Sequence, residues 1–76
     1  MIDYISGKIA ELTPTRVVLD NSGIGYAIEI SLQTYAALES QKEAKVYIYH
    51  HIQSSSDVEL FYGFSSKDER SIFELL

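Results

Sequence analysis

Seventy-six residues, 46% of them apolar, give room for one small domain near the lower size limit of an unaided hydrophobic core. Eleven acids against six bases set a formal charge of −5, the wrong sign for a surface that grips nucleic acid by phosphate neutralisation alone. The absence of cysteine rules out disulfides and thiolate metal sites, no run approaches the ~18 apolar residues of a membrane span, and Met1-Ile2-Asp3-Tyr4 does not open a secretory signal; a cytoplasmic location is the expectation.

Period-two alternation dominates the chain. Ile2 to Glu11 reads as a strand with Ile5, Gly7 and Ile9 on one face, and Gly7 is suited to a sharp bend or a close backbone approach. Thr13-Pro14-Thr15 is a turn, Arg16 to Asp20 a short strand, and Asn21-Ser22-Gly23 the turn of a hairpin. The returning strand alternates cleanly, with Ile24, Tyr26, Ile28 and Ile30 opposed to Gly25, Ala27 and Glu29. Leu32 to Ser40 changes to helical spacing at Leu32, Tyr35 and Ala36, with Ser31 as N-cap. Lys45 to Gln53 is a fourth strand. Asp57 to Phe64 is a fifth, read with Val58, Leu60, Tyr62 and Phe64 inward. Ser66-Lys67-Asp68-Glu69 fits a capping box, followed by an apolar stripe at Ile72, Phe73 and Leu76 without a stop signal, so the last helix is expected to belong to a longer chain. Five short strands with a helix between the third and fourth predict an all-β, five-stranded OB-fold Greek-key barrel over 1–64, plus the start of a C-terminal helix over 65–76.

Four segments in collinear order carry a family resemblance: Met1-Ile2-Asp3-Tyr4-Ile5-Ser6-Gly7, Gly23-Ile24-Gly25-Tyr26, Leu60-Phe61-Tyr62-Gly63-Phe64, and Lys67-Asp68-Glu69-Arg70 with Phe73. Together they resemble the N-terminal domain of the RuvA family. The resemblance implies a non-catalytic scaffold subunit of a Holliday-junction branch-migration complex in recombination, repair and the SOS response. It implies three domains: an OB barrel, a helix-hairpin-helix domain that grips four-way junction DNA, and a third that binds a RuvB-type AAA+ motor. It further implies a homotetramer or octamer, a RuvC-type resolvase as a further partner, and no cofactor. Residues 65–76 then correspond to the first helix of the second domain.

In that family the loop between the last two strands is an acidic pin with two adjacent acids. Here Gln53-Ser54-Ser55-Ser56-Asp57 places Ser56 at the first of those positions and Asp57 at the second, and Glu59 is the nearest acid to make up the charge. A single carboxylate about 6 Å from a phosphate costs only ~0.7 kcal/mol in water, and a Ser-rich tip with one Asp is also an ordinary turn.

Tyr47, Tyr49 and Phe61 fall on the expected outward phase. They are candidates for a subunit interface or for packing under the next domain, ranked above a base-stacking platform because Lys45 is the only base beside them in sequence. Arg70 is a candidate anchor for the second domain or a phosphate contact. His50 and His51, adjacent in a strand, point to opposite faces and do not suit a shared metal. Gly23-Ile24-Gly25 lacks the helix and Lys-Ser/Thr of a phosphate loop. Two other readings stand beside the junction subunit: an OB module for single-stranded oligonucleotides, and a protein-interaction barrel without nucleic acid.

Overall fold

The computed structural model describes residues 2–53 and 58–75, with 52, 53, 58 and 59 described by backbone alone. Strands β1 (Tyr4–Thr13), β2 (Arg16–Asn21), β3 (Ile24–Ile30), β4 (Glu43–Gln53) and β5 (Val58–Phe64) close into a barrel in the order β1-β2-β3-β5-β4. Helix α1 (Leu32–Leu38) lies between β3 and β4, and α2 (Lys67–Glu74) follows β5. All neighbours are antiparallel except β3 and β5, which pair in parallel at Glu29 opposite Tyr62 and Ile30 opposite Gly63. This is the expected OB-type barrel with its intervening helix.

Closure depends on β1 serving two partners. Its first half, Tyr4 to Lys8, pairs with β4, and its second, from Lys8, pairs with β2. Gly7 sits where the strand curls between them. A Cβ there would lie 2.5 Å from the carbonyl oxygen of Asp20, a backbone atom that cannot rotate away. Past the bend a register shift between Ile9 and Glu11 lets Leu12 and Ile9, three residues apart, both pack against the core. The β2–β3 hairpin turns through Ser22 (φ 54°) and Gly23 (φ 89°), the doubly left-handed geometry of a type I′ turn. The Asp20 carboxylate accepts the Gly23 amide at 3.0 Å.

The core is built from Ile5, Val17, Leu19, Ile28, Leu38, Ala44, Val46 and Ile48. The helix contributes Leu38 and the fully buried Thr34, whereas Leu32, one of the residues at helical spacing, is 70% exposed. Ser31 caps α1 by accepting the Thr34 amide at 3.1 Å.

The phase of β5 differs from the sequence expectation. Gly63 faces Ile48 in register, and a Cβ on it would run into Val46 and Ile28. Gly63 therefore occupies the core, and with it on the inward phase comes Phe61, which packs against the core and stacks on His50 at 4.8 Å. Leu60, Tyr62 and Phe64 take the outer face of the barrel, where Phe64 is still buried, as expected, because Phe73 of α2 covers it. With apolar residues on both phases of Val58–Phe64, alternation alone cannot orient the strand; the need for a side-chain-free position between Val46 and Ile28 does.

Gly7→Ala and Gly63→Ala are each expected to cost about 1–3 kcal/mol through overpacking, lowering Tm by at least about 4 °C in a chain of this size. Gly25→Ala, whose Cβ would stand 3.4 Å from the Val18 side chain in ordinary contact, should stay within about 0.5 kcal/mol of the parent. Thermal melts of the three variants check the ranking.

Candidate functional site at the root of the long hairpin

Strand β4 outruns its barrel neighbour. Its pairing with β1 ends at Tyr4 opposite Tyr47, while its ladder with β5 continues to Gln53 opposite Val58. On the other side, β5 pairs with β3 only at Tyr62 and Gly63. From His50 and Phe61 outward the hairpin is thus a two-stranded ribbon, roughly 13 Å of strand at ~3.3 Å per residue. Ser56 and Asp57, the expected pin residues, lie outside the described residues. The backbone of Glu59 pairs opposite Ile52, two rungs from the hairpin root side of Phe61.

The three candidate interface aromatics separate into different environments. Phe61 faces the core, as described above. Tyr49 is on the outer face but is covered by α2: the Phe73 ring enters between Tyr49, Tyr62 and Phe64, with centroids 5.3, 5.4 and 5.0 Å away. Offset and edge-on rings at these distances add about 0.5–1.5 kcal/mol per pair beyond the area they bury. Tyr47 stands on the barrel just below the ribbon, edge-on to Tyr4 at 6.4 Å.

Arg70 turns toward the barrel. Its Nη1 donates to the Asp3 carbonyl oxygen at 2.9 Å, to Asp3 Oδ1 at 2.7 Å and to the Ile48 carbonyl oxygen at 3.4 Å, and its Nε faces Glu74 Oε1 at 3.7 Å. The guanidinium, 18% exposed, therefore ties the first turns of α2 to the start of β1 and the middle of β4. A second tie joins the two helices: the buried Thr34 hydroxyl donates to Glu69 Oε1 at 2.8 Å, while the Ser66 hydroxyl caps α2 by accepting the Glu69 amide at 3.1 Å. The Ser66-to-Glu69 pattern is thus used in one direction as a cap, and its carboxylate serves a different donor.

Three of the six basic residues converge on Tyr47. The Lys45 ammonium lies 4.1 Å from the Tyr4 ring centroid and 5.3 Å from that of Tyr47, Lys67 lies 5.8 Å from Tyr47, and the Arg70 guanidinium 5.6 Å. The sequence expectation that only Lys45 flanks the aromatics is corrected here: Lys67 and Arg70 arrive from α2. Asp3, Tyr4 and Lys67 are the residues that sequence reasoning missed. Arg70 and Asp3 are 67 positions apart, and no local signal joins them. The one usable clue was the β1–β4 pairing of a closed barrel, which brings two tyrosines side by side.

A family model described as the RuvA N terminal domain matches residues 1–63. The Holliday junction branch migration complex subunit RuvA of Bacteroides fragilis is 49% identical over 76 residues, which is 100% of this chain and 37% of that relative. The subunit of the same name from Parabacteroides distasonis is 50% identical over 100% of this chain and 38% of its own length. That from Porphyromonas gingivalis is 44% identical over 96% and 35%. The chain spans a little over a third of the length of the curated relatives it matches, 37% in the first case.

The Asp3 carboxyl is held below its ordinary value of 3.8, first by the hydrogen bond from Arg70, against some desolvation, and then by the charges of Arg70, Lys67 and Lys45. A lowered folded-state value means that the ionised form is favoured by folding. The contribution is complete above the ordinary value and is lost as pH falls through the lowered one. Acid titration below about pH 4, followed by near-UV circular dichroism of the rings around Phe73, should show α2 loosening, with D3N lacking that pH-dependent step. A D3N chain with an unchanged step would place the titration on another carboxylate.

Proposed function

The chain belongs to the RuvA family through its N-terminal domain, and from that premise we propose that it is the barrel portion of a non-catalytic subunit that holds four-way junction DNA during branch migration. In this reading the barrel assembles into a tetramer or octamer and presents the β4–β5 hairpin as a pin at the junction centre. Duplex grip and the motor contact belong to further domains, ATP hydrolysis to a RuvB-type partner, and strand cleavage to a RuvC-type resolvase. Residues 65–76 open the second domain, and Arg70 and Phe73 set its angle against the barrel.

The observation that carries the proposal is the two-stranded ribbon leaving the barrel, with the Ser54–Asp57 segment joining its strands. A projecting ribbon can place a carboxylate among converging phosphates, where a buried turn could not. The charge is modest. One Asp57 carboxylate about 6 Å from a phosphate contributes ~0.7 kcal/mol of repulsion in water and more where solvent is thinned, so several copies around one junction are needed to bias the strand path. The net charge of −5 fits a domain that steers strands by repulsion and leaves the grip on duplex arms to other parts of the protein.

The test is a chimaera in which this chain replaces the matching segment of the Bacteroides fragilis relative. It should bind four-way junctions in preference to duplex and support branch migration with the cognate motor. Asp57→Asn in the chimaera should change the migration rate and leave junction affinity equal or tighter, since a repulsive charge has been removed. Weaker junction binding by D57N would contradict a repulsive pin, and a chimaera blind to junctions would sink the assignment as a whole.

A further inference from the structure

The cluster around Tyr4 and Tyr47 is not explained by barrel packing. Tyr4 is 49% exposed although it starts a central strand of the closed barrel. Half of the chain's basic residues gather at this one place, three of six, in a domain whose overall charge is −5. Of the three, Arg70 is engaged by Asp3 and Glu74, so its charge is spent inside the fold. Lys45 and Lys67 are exposed, and among the described residues neither closes an ion pair. Their ammonium groups are held over tyrosine rings, which fixes two cations beside an open aromatic surface. Asp3, whose carboxylate feels both lysines, is itself paired with Arg70.

We propose that Tyr4, Tyr47, Lys45 and Lys67 form a contact site for a single strand of nucleic acid, with backbone phosphates on the two lysines and a base against the exposed Tyr4 ring. Cations for the phosphates and a π-face for the base are the two elements that sequence-tolerant single-strand sites combine. An acidic peptide would use the lysines and have no use for the rings. The site stands on the barrel just below the ribbon, with Tyr47 on the last rung that β4 shares with β1 and three residues before His50. From there roughly 20 Å of β-strand leads to Gln53. The proposal rests on the junction reading for the identity of the strand, namely one that a pin has parted from its complement, but the chemistry of the site stands without it.

The experiment measures fluorescence anisotropy of a labelled oligothymidylate with this chain over a range of salt, with oligoglutamate of equal charge as competitor. Binding should weaken with salt. K45Q/K67Q should reduce the log–log slope by about 1.4, the value for two lost phosphate contacts on a single strand. Tyr4→Ala should weaken binding at least about fivefold, with far-UV circular dichroism unchanged. Undiminished binding by both variants, no binding by the parent chain, or equal competition by oligoglutamate each overturns the proposal. The same substitutions in the chimaera separate the two readings. A chimaera that migrates junctions but is indifferent to K45Q/K67Q and Tyr4→Ala overturns the strand site alone. One that fails on junctions while the oligothymidylate results hold removes the junction reading and supports the site.

Discussion

The double pairing of β1 is the constraint on which the rest of the molecule depends. A five-stranded sheet of this length closes only if one strand can hydrogen-bond to both of its ends, and β1 does so by turning from β4 to β2 around Gly7, with Lys8 paired on both sides. The bend brings Gly7 so close to the Asp20 backbone that a Cβ added there would collide with the Asp20 carbonyl. The later register shift then restores Leu12 to the core side after the curl. Every inward position named above, from Ile5 opposite Val46 to Gly63 opposite Ile48, follows from that closure.

Closure also decides where the barrel stops and the ribbon starts. Because β1 begins at Tyr4, the β4 ladder on that side ends at Tyr47, extended only by the Ile48 amide donating to the Asp3 carbonyl oxygen at 2.9 Å, and the hairpin leaves the barrel beyond Tyr49 and Tyr62, where the β3–β5 pairing also ends. Helix α2 is laid against the same region by three unlike contacts: Phe73 among the outer rings of β4 and β5, Arg70 on Asp3 and the Ile48 carbonyl, and Glu69 on Thr34. The ring contacts supply area, and the two polar ties, made by the consecutive residues Glu69 and Arg70 on different sides of the helix, fix its rotation. Whatever follows α2 therefore starts from a direction set by the barrel.

The sequence disclosed the succession of five strands along the chain, the β2–β3 and β4–β5 hairpins, the helix between β3 and β4 and both serine caps, because each is a local pattern: alternation, turn residues, or a hydroxyl before a helix. It misled where one segment carried two apolar phases. Leu60, Phe61, Tyr62 and Phe64 offer no polar residue to mark the outside, and Gly63, the residue that does decide the phase, looks neutral in a linear reading. The same limit hid the basic cluster. Lys45, Lys67 and Arg70 are scattered along the chain and meet only once α2 folds back on β4. Serine-capped α1 was legible, but its buried face was not, because Thr34 is a polar residue kept inside by bonds to Ser31 and Glu69 that no spacing rule anticipates.

The overall charge, the most conspicuous feature of the composition, turns out to be a poor guide to what this surface can do. At 0.1 M salt exposed charges are screened beyond about 10 Å, whereas Tyr47 and Gln53 are separated by roughly twice that length of strand. In the strand site proposed above, a phosphate beside Tyr4 and Tyr47 responds to Lys45 and Lys67 and is screened from charges beyond Gln53. A net charge of −5 is therefore compatible with a local cluster of cations on the same small domain. What decides the local potential is where the fold gathers its charges, since Lys45 comes from β4 while Lys67 and Arg70 come from α2.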